Sequence, residues 1–228
     1  YRYVGVSGDT ARLAPVTAKG TPIRRTNCGP SSQPFFGRAE VLTALDAHFS
    51  GATRLVSLLG GPGLGKTTTA RHFVQSLRDT ESRFRELWFC ELASARSVDD
   101  IVAILASTLE LEVESGLSAE AQIVQVGNAL AARPPLLVVL DNFEHLSSLA
   151  VETVGAWLQA APELRILVTS RERLRLRDEV AIDLAPLDAD TGAALFHACA
   201  TASGASLADG DRCSRASRAD GFRARARM

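Results

Sequence analysis

The chain has 228 residues, of which 46% are hydrophobic and 22% are charged, and its formal net charge is −1. These proportions are typical of a globular domain and exclude a wholly disordered chain. No apolar run is long enough to span a bilayer and no signal-peptide pattern is visible, so the sequence predicts a cytoplasmic protein without membrane contact. The four cysteines are scattered without a C-x-x-C pair, which argues against a zinc ribbon or a disulfide scaffold.

The two ends of the chain differ from its middle. Because the chain begins with Tyr1 and its one methionine is Met228, we expect it to be a piece of a longer protein. Residues 1–34 are punctuated by glycine and proline and are predicted to be a linker, which could include the end of a preceding domain. Residues 201–228 lack apolar periodicity and are rich in arginine, which predicts a disordered basic tail. The folded domain is therefore predicted to occupy residues 35–200.

Helical and strand patterns alternate through this domain. Apolar runs without alternation predict buried strands at 54–59, 87–92, 136–140, 165–169 and 180–184. One-sided apolar patterns predict a helix that begins after a Ser97 cap and further helices at 39–49, 66–77, 118–132, 146–160 and 190–200. Buried strands separated by helices are typical of a parallel sheet that is covered on both faces. The sequence thus predicts an α/β fold of three layers with a mostly parallel five-stranded sheet and a ligand site at the carboxyl ends of the strands.

The first of these strands runs into a glycine-rich loop, GGPGLGKT, that satisfies the pattern G-x-x-x-x-G-K-[ST]. Glycines let the backbone wrap around phosphates, and the following helix presents its positive end to them. Lys66 would reach the β- and γ-phosphates, Thr67 would ligate Mg²⁺, and Thr68 is placed to help at the α-phosphate. Lys66 is also one of only two lysines in a chain with 25 basic residues, which favours a nucleotide site over a loop that merely caps a helix. The predicted phosphate-binding residues are Gly60, Gly61, Pro62, Gly63, Leu64, Gly65, Lys66, Thr67 and Thr68.

A second candidate site residue, an aspartate, follows the strand LLVVL. Asp141 ends this strand, where a carboxylate beside the phosphate loop could hold Mg²⁺ through water, although a plain turn residue is the alternative. Since the strand predicted at 87–92 precedes it in the chain, we expect the Asp141 strand not to be the immediate neighbour of the phosphate-loop strand, as in NTPases with an additional strand. An acid often follows the metal ligand in that class, whereas Asn142 stands here. Glu144 is the nearest candidate catalytic carboxylate, and capping of the next helix is an equally good interpretation.

The strand RILVT is followed by Ser170 and Arg171. An arginine at this edge can reach a γ-phosphate and distinguish a triphosphate from a diphosphate by charge-assisted hydrogen bonds. The predicted catalytic set is therefore Lys66, Asp141, Glu144 and Arg171, with Thr67 and Asp141 as the metal ligands. The arginines at 173, 175 and 177 are predicted to belong to a solvated stretch.

Five segments occur in a fixed order: FFGR at 35–38, GGPGLGKTTTA, LLVVLDNFEHL, ILVTSRERL and APL at 185–187. Together they resemble the STAND NTPases (signal-transduction ATPases with numerous domains), and in particular the bacterial predicted-ATPase regulators related to NB-ARC modules, which share the AAA+ type of additional-strand fold. The resemblance implies that Phe36 and Arg38 lie against adenine and ribose and that Arg171 senses the nucleotide. It also implies a switch: ADP holds a closed state, ATP opens it and permits self-association of the full-length protein, and slow hydrolysis resets it.

The resemblance ends near residue 200. Family members continue into a helical subdomain whose G-L-P-L motif packs on adenine, and this chain lacks that motif, so we expect weaker nucleotide binding. Effector and sensor domains are expected outside this chain, and contact with DNA only through such domains.

The sequence therefore predicts a regulatory switch domain that binds ATP, ADP and Mg²⁺ and is at most a weak ATPase. The alternatives are an energy-coupled ATPase, a P-loop kinase or an inactive fragment. A kinase would need a substrate pocket and an arginine-bearing lid, for which the arginines at 173–177 have the wrong spacing to the loop.

Overall fold

The computed structural model describes residues 25–29, 35–79 and 83–202. Within these ranges, six parallel strands form one open sheet in the order β1-β3-β4-β5-β2-β6. The strands are β1 (Arg25–Thr26), β2 (Leu55–Leu59), β3 (Glu86–Glu91), β4 (Leu136–Asp141), β5 (Leu164–Ser170) and β6 (Glu179–Asp183). The α-helices are α1 (Ala39–Ser50), α2 (Lys66–Asp79), α3 (Val98–Leu109), α4 (Ala119–Ala131), α5 (Ala156–Ala160) and α6 (Ala189–Ala202). The parallel α/β architecture is as predicted, and most of the predicted linker and nearly all of the predicted tail lie outside the described residues.

The sheet has six strands in the described ranges instead of the five predicted. The added strand, β1, pairs in parallel with the first two residues of β3, although it lies in the predicted linker. The pairing is extended by Asn27, whose side chain accepts the N–H of Phe89 and donates to its carbonyl, both at 2.8 Å. A two-residue edge strand has no periodic pattern, so nothing in the sequence distinguished it from linker.

The order of the central strands decides how the site is built. β5 pairs with β2 on one side and with β4 on the other, so the strand that ends in Asp141 is not the neighbour of the phosphate-loop strand. The additional-strand prediction is confirmed, but the strand that intervenes is β5, whereas β3 lies on the far side of β4. The end of β5 therefore lies between the phosphate loop and Asp141.

The predicted helix at 146–160 is not one continuous α-helix. A 3₁₀ turn covers Phe143–Leu149, a π-helical turn covers Val151–Gly155, and α5 follows. The turn begins directly after Asn142, whose φ of 62° lies in the left-handed region. After the left-handed residue, Phe143 and Leu146 pack into the core immediately beyond β4, and both are fully buried. Packing at the strand end thus outweighs the helical periodicity of this segment.

Both faces of the sheet are buried. On β4, Leu136, Val138 and Leu140 belong to one apolar cluster, and Leu137 and Val139 belong to the other. The first cluster is covered by α3, α4 and α5, where Trp157 is buried and its indole N–H donates to the Ile123 carbonyl at 3.1 Å. Burial on both faces explains why the strands have continuous apolar runs and no alternation.

Helix α3 begins with a capping box. The Ser97 hydroxyl accepts the backbone N–H of Asp100 at 3.2 Å, and the Asp100 carboxylate accepts the backbone N–H of Ser97 at 3.1 Å. The Ser97 cap predicted from the sequence is confirmed.

We expect Ser97→Ala to lower the free energy of unfolding by about 1 kcal/mol, because it leaves a helix N–H without its acceptor. The measurement is urea denaturation, with Ser107→Ala as the control because Ser107 lies on the exposed face of the same helix. Equal stability of the two variants would contradict a stabilising role for the cap.

Candidate functional site

The phosphate loop joins β2 to α2, as the motif predicts. Gly63 and Gly65 have φ values of 74° and 83°. Residues with a Cβ rarely adopt such values, so the backbone conformation of the loop favours glycine at both positions. Lys66 is 8% exposed, and its ammonium donates to the carbonyls of Gly60 at 2.8 Å and Gly61 at 3.0 Å. The lysine thus lies across its own loop and is bound only by main-chain oxygens, which phosphate oxygens could replace.

Asp141 lies at the end of β4 and is 1% exposed. The Thr67 hydroxyl, in the first turn of α2, lies 2.9 and 3.0 Å from its two carboxylate oxygens. The Asn142 amide donates to Oδ2 at 3.1 Å. Burial raises the pKa of Asp141 above its ordinary value, and the hydrogen bonds from Thr169 and Thr67 oppose that rise only partly.

Thr169 completes this cluster and was not predicted. It is fully buried on β5, its hydroxyl donates to Asp141 Oδ1 at 2.5 Å, and its oxygen accepts the backbone N–H of Asn142 at 3.0 Å. The sequence did contain a signal, since Thr169 is a hydroxyl residue near the end of an otherwise apolar strand. Its role follows only from the placement of β5 beside β4.

The donor set of this cluster suits Mg²⁺. It offers one carboxylate and the hydroxyl of Thr67, all hard oxygen ligands. In the described part of the chain, no group of three or more His, Cys, Asp or Glu residues could hold a metal. A single carboxylate and a hydroxyl fit an ion that takes its other ligands from phosphates and water, which is the usual arrangement for Mg²⁺.

Arg171 and Glu144 contact each other. Leu59 pairs with Ser170, so Arg171 follows the strand residue beside the start of the phosphate loop. The Arg171 Nε donates to Glu144 Oε1 at 3.1 Å, and the side chains are 59% and 20% exposed. The structure therefore places the predicted sensor and the predicted catalytic carboxylate together as an ion pair.

The FFGR segment lies beside the phosphate loop. Arg38 is 9% exposed and donates to the carbonyls of Leu64 at 3.1 Å and Ala185 at 2.7 Å, which ties the loop to the segment after β6. A Cβ on Gly37 would lie 2.5 Å from Thr191 Cγ2, so the start of α6 packs tightly on this segment. Phe36 is half-buried. Contact of Phe36 and Arg38 with adenine stays a prediction.

Two further residues predicted to bind phosphate lie in the loop and in the helix that follows it. Pro62 is exposed in the loop, and Thr68 is half-buried in the first turn of α2.

Of the helices in the described ranges, none combines the length and apolar character needed to cross a membrane.

A family model described as "AAA domain" matches residues 50–177, more than half of the chain. An uncharacterized protein of Mycobacterium tuberculosis is 34% identical over 134 residues, which cover 59% of this chain and 33% of that protein. A protein of the same organism named as a putative HTH-type transcriptional regulator is 35% identical over 130 residues, which cover 56% of this chain and 14% of that protein. The matched part of this chain thus spans a third or less of these relatives.

A solved structure has the same fold. The crystal structure of Cdc6p from Pyrobaculum aerophilum superimposes with a TM-score of 0.59 at 19% sequence identity, covering 76% of this chain and 52% of that one. At this identity the similarity concerns the architecture of the sheet and helices.

The raised pKa of Asp141 gives a test of the cluster. Because the folded state binds this proton more tightly than the unfolded state, the ionised carboxylate costs stability at neutral pH, and that cost is lost as the pH falls through the folded pKa. We expect Asp141→Asn to melt at a higher temperature than the wild type at neutral pH without Mg²⁺, with a difference that shrinks in acid. Thermal unfolding over a pH series measures this.

Asp183→Asn is the matched control, because Asp183 ends β6 at the same edge of the sheet but is exposed. It should melt like the wild type throughout. A lower melting temperature for Asp141→Asn at neutral pH would contradict the prediction.

Proposed function

The chain belongs to the AAA domain family of P-loop NTPases, and from that premise we propose that it is a regulatory switch that binds ATP or ADP with Mg²⁺ and hydrolyses ATP slowly. The observation that carries the proposal is the cluster in which Thr67 and Thr169 hold the buried carboxylate of Asp141 beside the phosphate loop. Hard oxygen ligands beside the phosphate loop support the proposal that a bound triphosphate carries its metal ion here.

Binding uses groups that are already positioned. Lys66 would exchange two carbonyl oxygens for oxygens of the β- and γ-phosphates. Thr67 and Asp141 would hold Mg²⁺, which neutralises phosphate charge when bound. Thr169 keeps Asp141 in place and supports the backbone that follows it. An ionised carboxylate in a buried site is a costly arrangement that a cation would relieve.

Slow hydrolysis is supported by the residues that follow Asp141. Asn142 cannot accept a proton usefully, and its amide donates to Asp141. One oxygen of Glu144 is occupied by Arg171. The other oxygen of Glu144 is buried, so neither residue presents an accessible carboxylate to polarise an attacking water. Loss of such a group typically costs about 10²–10⁴-fold in rate.

The regulatory part of the proposal rests on motifs and relatives. The STAND-like order of FFGR, phosphate loop, LDNFEH and TSR favours a switch in which Phe36 and Arg38 lie near adenine and Arg171 senses the γ-phosphate. A relative at 35% identity is named as a putative HTH-type transcriptional regulator, which is consistent with a cytoplasmic regulator. Self-association in the ATP state, effector and sensor domains, and contact with DNA would belong to the longer protein.

The first experiment is to purify the chain, denature it, identify released nucleotide by chromatography and measure steady-state ATP turnover. We expect bound ADP and turnover well below the common enzyme range of about 1–10³ s⁻¹. Rapid turnover would instead support an energy-coupled ATPase, and an empty chain that binds nothing at millimolar ATP would support an inactive fragment.

Lys66→Ala should weaken ATP binding by about 100-fold, because it removes charge-assisted hydrogen bonds to two phosphates. Titration calorimetry measures the affinity. Arg177→Ala removes the same charge from an exposed site before β6 and should bind like the wild type. Equal affinity of Lys66→Ala and the wild type would overturn the phosphate-loop assignment.

A further inference from the structure

The turns that follow β4 and β5 are joined by two side-chain contacts. Arg171 Nε donates to Glu144 Oε1 at 3.1 Å, and the Ser147 hydroxyl donates to Glu172 Oε1 at 2.8 Å. Glu144 and Ser147 lie in the 3₁₀ turn after Asn142, and Arg171 and Glu172 follow the end of β5. The position of Arg171 is therefore coupled to the segment that carries Asp141.

Glu144 holds only one side of the guanidinium. The bond is made by Nε, and within the described residues neither Nη1 nor Nη2 of Arg171 has a hydrogen-bond partner. The arginine side chain is 59% exposed, so both terminal nitrogens can receive an anion. An arginine held in this way presents a planar pair of donors that matches a phosphate group.

The environment of Glu144 argues against a role as base. Its Oε1 is occupied by Arg171, and its Oε2 is buried and has no hydrogen-bond partner in the described structure. A general base must reach the proton it removes directly or through one water. A carboxylate with one occupied and one buried oxygen is better suited to orienting a cation.

We propose that Glu144 is the positioning residue of Arg171, which it holds through Nε so that Nη1 and Nη2 receive the γ-phosphate of ATP. This inference rests on the proposed nucleotide-binding function and specifies which residue helps that site distinguish ATP from ADP. Since ADP has no γ-phosphate, Glu144 contributes to ATP affinity and leaves ADP affinity nearly unchanged.

The test measures ATP and ADP affinities of the full chain in Mg²⁺ by titration calorimetry. Arg171→Ala should lower the ratio of ATP to ADP affinity by at least about ten-fold, because it removes the charge-assisted hydrogen bonds from Nη1 and Nη2 to the γ-phosphate. Glu144→Gln should lower the ratio by about three- to five-fold, since a partly exposed ion pair contributes about that much. In the Arg171→Ala background, Glu144→Gln should cause no further change, which a merely structural role would not predict.

Glu172→Gln is the control, because it removes one negative charge beside Arg171 without touching the guanidinium, and its ratio should equal that of the wild type. An unchanged ratio for Glu144→Gln with lost turnover would make Glu144 the base and overturn the proposal. A raised ratio would make Glu144 a competitor of the γ-phosphate and also overturn it. A wild type that binds neither nucleotide would overturn the proposed function itself, so the two failures are distinguishable.

Discussion

The buried carboxylate of Asp141 is the point on which the site depends. It accepts hydrogen bonds from the hydroxyls of Thr67 on α2 and Thr169 on β5. These bonds connect the helix that follows the phosphate loop to β4 and β5. The same burial raises its pKa, which means that the fold disfavours the ionised form of this carboxyl group. Buried ionisable groups with shifted pKa values are common at functional sites, where they lower the stability of the fold but serve binding or catalysis.

Arginine side chains connect segments at both edges of the sheet, at the edge that carries the site and at the opposite, amino-terminal edge. Arg38 links the phosphate loop to the segment after β6, and Arg54 donates to the carbonyls of Leu158 and Ala161 at the end of α5. Arg133 pairs with the buried Glu86 at 2.5 Å and donates to Leu109 at the end of α3. The chain has 25 basic residues, nearly all arginine, and these three each satisfy at least one main-chain oxygen.

Sequence patterns predicted the regular elements well where burial is periodic. The predicted bounds of β2, β4 and β5 agree with the structure to within about a residue, because both faces of these strands are buried and their sequences are therefore continuous apolar runs. The patterns failed in two places. β1 is too short to have a period, and the segment after Asn142 is wound by a left-handed turn and local packing instead of by helical propensity.

The sequence by itself determined the phosphate loop, because its chemistry lies within eight consecutive residues and its geometry follows from local glycine conformation and the helix that begins at Lys66. It also identified Asp141 and Arg171 as strand-end residues, since the ends of parallel strands share an edge. Only the tertiary structure decided that Thr169 bonds Asp141 and that Glu144 bonds Arg171. These contacts join residues 27 or 28 positions apart, and they exist because β5 lies between β2 and β4, an order set by the packing of the whole sheet.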